Sequence, residues 1–306
     1  MDFDLENPLT IFNEHQSESI PNLFASESDH MPSKKFLKSL KTSDSYFSFR
    51  QEAVSLILRA QYSCKFEPFF AYLAINYMDR FISSQEIPFL QQGKPWIMRL
   101  LVVSCLSLAA KMKDTHFPVT NLQREENSIF DMQTINRMEL LILDALNWRM
   151  RSITPFSFLH FFISSFELQD PPLTQALKDR ATEVIFRAHN EIKFLEFKPS
   201  IIAASALLLA SHELFPMQFH SFQCSILSCE SVNKENLLKC LNAVQEMEWC
   251  ESMLDTDSST RTPLSVLDRH CSNSESETTT ATELLIEKKE IKRHKTIGRY
   301  SSSSSK

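Results

Sequence analysis

Side chains able to bind a metal or attack a substrate occur in this chain without the spacing that such chemistry requires. His212 and Glu213 begin the His-Glu-x-x-His pattern of zinc proteases, but Pro216 stands where the second histidine would be. Cys224 and Cys229 are five residues apart and have no histidine pair at zinc-finger spacing. The chain has only 2 glycines, so neither a glycine-built phosphate loop nor the Gly-x-Ser-x-Gly motif of hydrolases can form. The sequence therefore predicts no catalytic residue, no cofactor and no metal site.

Four charged residues stand out because of the apolar segments around them. Lys111 ends an apolar run that begins at Leu100, and Glu139 interrupts an otherwise apolar helix. Both have an ordinary explanation, since a lysine is favoured at a helix C-terminus and a glutamate can simply face water. Arg50 and Asp79, on two earlier helices, are either an internal ion pair or two unrelated surface charges. The residues alone leave these alternatives open.

The elements that carry these charges are predicted to be helices. The run 100–111 is apolar or small on every side, which is typical of a helix buried among other helices. It is shorter than the about 20 apolar residues that a membrane span needs. Apolar residues at helical spacing predict further helices over 46–58, 69–81, 133–146, 155–163, 173–195, 199–212 and 232–250.

The second hundred residues resemble the first. A shift of 101 positions places the apolar run 199–212 on the run that ends at Lys111, with His212 in the position of the lysine. Thr154 and Pro155 occupy the N-cap and first-turn positions of the helix that opens this second half. The pattern predicts two tandem units of about five helices each.

Composition bounds the remaining possibilities. Of the 306 residues 43% are hydrophobic, and the scarcity of glycine disfavours an all-β fold. The net charge of −6 argues against a nucleic-acid-binding body. The 7 cysteines include no Cys-x-x-Cys pair, as in proteins of a reducing compartment. Residues 1–43 and the Ser/Thr-rich residues 251–306 have little periodicity and are predicted to be a disordered arm and a disordered tail.

Three segments, 73–83, 100–114 and 137–158, resemble a cyclin box. The run from Trp148 to Phe158, Trp-Arg-Met-x-x-x-Thr-Pro-Phe-Ser-Phe, resembles the junction between the two boxes of plant D-type cyclins. The resemblance implies an all-α fold with an N-terminal box at 44–151 and a C-terminal box at 152–250. It also implies a non-catalytic regulatory subunit that binds and activates a cyclin-dependent kinase at cell-cycle entry, the G1/S transition.

The same resemblance implies roles for individual residues. Arg50 and Asp79 pair and, with Leu100, stabilise the first box. Lys111 and Glu139 face the kinase and hold the end of its C-helix. Three further positions match apolar contacts to that helix: Met112, Leu143 and Trp148.

The chain also departs from the D-type pattern. No cysteine precedes Cys64, so an N-terminal Leu-x-Cys-x-Glu motif is missing and docking to pocket proteins through it is not expected. Leu56 and Arg59 replace a tryptophan and an acidic residue that other cyclins use to dock substrates, so such docking is expected to be weakened or altered. The pattern best resembles the divergent plant members that lack the motif, the sixth subgroup.

The tail adds two hypotheses, and the fold adds an alternative function. Thr262-Pro263 is a minimal proline-directed phosphorylation site. The basic run 292–295 is either a nuclear-import signal, which would place the protein in the nucleus, with or without a cytoplasmic pool, or a solvated charge run. The alternative function is a two-box transcription adaptor that binds nucleic acid or the transcription machinery.

Overall fold

The fold is seen in a computed structural model that describes residues 20–85, 95–113 and 130–257, apart from residues 167 and 169, with side chains to residue 249. These residues lie within one compact unit, residues 1–258. They contain α-helices and short 3-10 helices and no β-strand. The α-helices are α1 (Ile20–Ser26), α2 (Lys34–Thr42), α3 (Asp44–Cys64), α4 (Pro68–Ser84), α5 (Pro95–Met112), α6 (Met132–Ala145), α7 (Phe156–Ser164), α8 (Pro171–Asn190), α9 (Pro199–Leu214), α10 (Phe219–Leu227) and α11 (Lys234–Asp257).

Each half of the chain is built around one buried helix. In the first half α5 packs against α3, α4 and α6, and in the second half α9 packs against α7, α8, α10 and α11. Residues 100–110 of α5 and 203–211 of α9 are all buried. Their serines and alanines let neighbouring helices approach closely, while the leucines fill the space between them. The prediction of an all-α fold with two tandem helical boxes is confirmed.

Helix α5 is also long and apolar enough to cross a membrane, judged by length and composition alone. The core helix of a folded protein has the same character, and most of α5 is enclosed by its neighbours. Its apolar surface is therefore accounted for by packing within the first half.

The predicted cap of α7 is wrong. Thr154 is buried, and its Oγ1 has no hydrogen-bond partner in the part of the chain that the structure describes. Instead, the Thr154 amide donates a hydrogen bond to the Ser157 hydroxyl at 3.3 Å. Thr154 packs in the interior instead of turning toward the helix end, so the serine three residues later satisfies its backbone.

The prediction of a disordered arm over residues 1–43 is wrong for residues 20–43. Two short apolar faces, carried by α1 and α2, are buried: Ile20, Leu23, Phe24, Phe36, Leu37 and Leu40. Phe24 packs against α7, with its ring centroid 4.8 Å from that of Phe158. Helices this short are marginal alone, so their order depends on the surfaces they cover, which are α7 for α1 and α3, α4 and the 3-10 helix Ile192–Glu196 for α2. Residues 1–19 lie outside the described part.

A 3-10 helix, Glu27–His30, connects α1 to α2 and carries a buried carboxylate. The Glu27 Oε2 atom accepts from the Ser200 amide at 2.9 Å, and Oε1 accepts from the Ser200 hydroxyl at 3.0 Å. Lys198 Nζ lies 3.2 Å from Oε1. A carboxylate is favoured at a helix N-terminus, where amides lack partners. The arm therefore caps α9, the central helix of the second half.

Candidate functional site

Lys111 and Glu139 meet where α5 ends beside the middle of α6. Lys111 Nζ lies 2.5 Å from Glu139 Oε2, and the exposed fractions of the two side chains are 58% and 7%. Glu139 is buried because it shares the inward ridge of α6 with Ile135 and Ile142, at i−4 and i+3. The structure thus brings together the two charges that the sequence singled out, with the lysine outermost.

The second oxygen of this carboxylate has no partner among the residues that the structure describes. Glu139 Oε1 is buried and accepts no hydrogen bond from any residue that the structure describes. An ionised carboxylate can accept several hydrogen bonds, and leaving a buried polar group unsatisfied costs about 1–3 kcal/mol. Within the described part of the chain this oxygen is available to a donor from a binding partner.

Apolar side chains follow the Lys111–Glu139 pair closely along the chain, at the end of α5, on α6 and in the turn after α6. Met112 and Leu143 are half-buried against the core, and Trp148 is 65% exposed. Leu140, next to Glu139 on α6, is more than half exposed and was not singled out from the sequence. The sequence contained the information to find it. Leu140 lies off the inward ridge of α6, so packing in the core does not explain an apolar residue at this position. Charges beside exposed apolar groups are typical of a surface that binds another protein.

The turn that follows α6 has an unusual backbone. Asn147 and Trp148 both have positive φ, 51° and 58°. A non-glycine residue in this left-handed region costs about 1–2 kcal/mol, so surrounding contacts must hold it there. Local bonds contribute, since the Trp148 amide donates to the Leu143 carbonyl at 2.8 Å. The turn directs the chain from the first half into the second.

Side chains of α4 hold the segment after this turn. Arg80 donates from Nη2 to the Arg149 carbonyl and from Nη1 to the Ser152 hydroxyl, both at 2.9 Å. The Tyr77 hydroxyl donates to the Met150 carbonyl at 2.9 Å. Burial lowers the pKa of Arg80 to about 10. The connection between the two halves is therefore bonded to the interior of the first half.

Arg50 and Asp79 form a buried two-pronged pair between α3 and α4. Arg50 Nε and Nη2 each donate to one Asp79 oxygen at 2.9 Å. The guanidinium also donates at 3.0 Å to the backbone carbonyls of His189 and Asn190, the last residues of α8. Arg50 thus connects the first half to a helix C-terminus in the second, which the sequence did not indicate.

His189 lies beside this pair, and its pKa is strongly shifted. Its ring stacks on Tyr72, with centroids 3.8 Å apart. Burial, and next the charge of Arg50, lower the pKa of His189 to about 3. Burial likewise raises the pKa of the Tyr72 hydroxyl above its usual range. Both groups are neutral at physiological pH, which suits a packed junction rather than proton transfer.

The other residues singled out from the sequence lie elsewhere. Leu100 is buried in α5, and Leu56 is buried on the inner side of α3. Arg59 and Tyr62 line an open depression on the outer side of α3. Thr262 and the run 292–295 lie outside the described residues. Across the described ranges, no three His, Cys, Asp or Glu side chains lie close enough together to hold a metal ion.

Comparison with known proteins gives a consistent result. The cyclin N-terminal domain family matches residues 18–151, and the cyclin C-terminal domain family matches residues 153–283. The chain is 46% identical over 289 residues to putative cyclin-D6-1 of Arabidopsis thaliana, covering 90% of this chain and 93% of the relative. It is 37% identical to cyclin-D6-1 of Oryza sativa subsp. japonica, covering 91% and 85%. Its fold is similar to that of a viral cyclin from herpesvirus saimiri, with a TM-score of 0.55 at 16% identity, covering 75% of this chain and 96% of that one.

Proposed function

Since this chain belongs to the plant D-type cyclins, we propose that it meets the cyclin-dependent kinase it regulates through the Lys111–Glu139 pair and the apolar residues around it. The unpartnered Oε1 of the buried Glu139 carries this proposal, because the free chain offers no donor for it among the described residues. A hydrogen-bond donor at the end of the kinase C-helix would satisfy that oxygen. Met112, Leu143 and Trp148 would cover the apolar side of the same helix.

The mechanism needs no catalytic group on the cyclin. A protein kinase is active when the glutamate of its C-helix reaches the lysine that positions ATP. A partner that binds the inward C-helix position more tightly than the outward one shifts the kinase toward the active state. The buried frame of α5 and α6 supplies such a partner, because it fixes the carboxylate before the kinase arrives.

Reversing the charges tests the contact. We expect Lys111→Glu and Glu139→Lys each to reduce kinase co-purification and activity by about tenfold or more, since an unpaired interface charge costs about 2–5 kcal/mol. The control is Lys239→Glu, which disrupts the exposed ion pair between Lys239 and Glu235 on α11. Full kinase activation by both site variants would show that the contact lies elsewhere.

The wider role follows from family membership. We propose that the protein acts at cell-cycle entry, in the nucleus, without catalytic activity of its own and without docking pocket proteins through a Leu-x-Cys-x-Glu motif. The D-type relatives favour this role over the transcription adaptor. Salt-dependent binding of residues 20–257 to DNA would instead support the adaptor.

A further inference from the structure

We propose that Arg80 is a positioning residue for kinase binding, because it holds the backbone after α6 in the conformation that presents the Trp148 indole to the kinase. The proposal rests on the proposed function, in which Trp148 contacts the kinase. Arg80, a buried residue of α4, would thus affect a kinase-binding surface of which it is not part.

The turn after α6 has a backbone conformation that other contacts must hold. The two consecutive left-handed residues, Asn147 and Trp148, are unfavourable for side chains larger than glycine. The indole is nevertheless 65% exposed, so burying it does not compensate for the backbone. Backbone bonds hold the turn on the α6 side, where the Trp148 amide donates to the Leu143 carbonyl, so its other side depends on the residues that follow it.

Arg80 binds the segment that follows this turn. Its guanidinium donates to the Arg149 carbonyl, one residue after Trp148, and to the Ser152 hydroxyl. The Ser152 hydroxyl in turn lies 2.8 Å from the Asn76 side-chain oxygen. Arg80 is 6% exposed, and no carboxylate pairs with it in the part of the chain that the structure describes. A buried arginine without a counter-ion is costly, and the bonds it makes go to this segment.

The alternative is a purely structural role, in which Arg80 only stabilises the connection between the boxes. Both roles predict a loss of stability when Arg80 is replaced. Only the positioning role predicts that the loss of kinase affinity depends on the presence of the Trp148 indole. A thermodynamic cycle separates the two roles.

The cycle compares Arg80→Lys and Arg80→Met with and without Trp148→Ala, using the affinity of the full chain for the purified kinase measured by calorimetry. We expect Arg80→Met to weaken binding about tenfold when Trp148 is present and less than about twofold when it is absent. Arg80→Lys, which keeps the charge but loses the forked geometry, should fall between these values. Equal losses in the two backgrounds would overturn the proposal.

A spectroscopic measurement gives an independent readout before any kinase is added. With Trp96→Phe and Trp249→Phe, Trp148 is the single remaining tryptophan. We expect Arg80→Lys to change its emission maximum and its quenching by acrylamide. Ile226→Ala, a core substitution in α10, lowers stability without touching the turn and should leave both unchanged. An unchanged spectrum in Arg80→Lys would count against positioning.

Two further variants keep the outcomes distinct. If the Arg80 variants do not fold, Ser152→Ala removes one of the two contacts at lower cost and takes their place in the cycle. Lys111→Glu reports on the proposed function itself. Loss of binding by Lys111→Glu with additive Arg80 and Trp148 effects would refute only the positioning role, whereas unchanged binding by both Lys111→Glu and Trp148→Ala would refute the kinase contact.

Discussion

At the residue scale, two kinds of charged residue have similar sequence surroundings and different environments. Arg50 and Asp79 satisfy each other and the end of α8, so every bond they make lies inside the protein. Glu139 is also buried, but one of its oxygens accepts no hydrogen bond from a described residue, and its partner Lys111 is more than half exposed. Buried and fully paired charges hold a structure together, whereas a buried charge with a spare acceptor favours a partner.

Breaking the Arg50–Asp79 pair should destabilise the fold strongly. We expect Asp79→Asn or Arg50→Met to lower the free energy of unfolding by about 3–5 kcal/mol, because one buried charge is left uncompensated. Lys41→Met, which removes an exposed ion pair with Glu196, is the control and should lose less than about 1 kcal/mol. Urea unfolding measures both, and equal losses would contradict the assignment.

The histidine at the junction predicts acid sensitivity. The pKa of His189 lies near 3 in the folded chain and near 6.5 when unfolded, so between these values only the unfolded chain takes up the proton. The contribution of the neutral His189 to the free energy of unfolding is therefore fully present above pH 6.5. It falls as the pH drops, by about 1.4 kcal/mol per pH unit. His189→Phe retains a ring to stack on Tyr72 and should make the dependence between pH 6.5 and 4.5 shallower. An unchanged slope would contradict the burial of a neutral imidazole.

At the element scale, helix ends in the second box are capped by side chains from outside it. Glu27 satisfies the N-terminus of α9 from the arm, and Arg50 satisfies the C-terminus of α8 from α3. Neither α8 nor α9 has a side-chain N-cap from its own preceding residue. These helices therefore depend on residues more than a hundred positions away.

Replacing the remote cap should loosen the start of α9. We expect Glu27→Gln to lower the free energy of unfolding by about 1–3 kcal/mol, since one carboxylate oxygen and the charge at the helix N-terminus are lost. Amide hydrogen exchange should accelerate at Ser200 and in the following turn. Glu235→Gln, an exposed residue in the first turn of α11, is the matched control. Unchanged exchange at Ser200 would argue against the cap.

At the scale of the whole molecule, three buried polar clusters connect the arm and the two boxes. They are centred on Glu27, Arg50 and Arg80, and each joins segments far apart in the chain. Phe24 adds apolar contact between the arm and α7. The described residues should consequently unfold as one unit, and the surface at Lys111 should depend on the integrity of the second box.

Removing the arm and the first box tests this cooperativity. We expect residues 152–257 alone to aggregate or to lack a cooperative thermal transition, because Phe158 and two helix ends lose their partners. Residues 20–257 should keep a single sharp transition, and residues 44–257 should melt at a lower temperature. Circular dichroism during heating measures all three, and an independently stable second box would contradict the prediction.

Much of this architecture could be predicted from the sequence. Period and composition identify α3 to α9 and α11, although the ends of α3 and α11 lie up to about seven residues beyond the predicted ones and α10 was not predicted. The two central helices and the charges at Lys111 and Glu139 are found in this way. The arm was missed because its apolar faces are too short to predict stable helices without the surface they cover.

Local periodicity and the residues of its motifs are enough to predict an all-helical, two-box protein of the cyclin family. Three long-range contacts are evident only in the folded chain: Glu27 caps α9, Arg50 reaches into the second box, and Arg80 binds the segment after Trp148. They could not be predicted because a charged residue has the same sequence surroundings whether it faces water, a helix end or a partner. Its role is set by which distant groups the fold brings within hydrogen-bond reach.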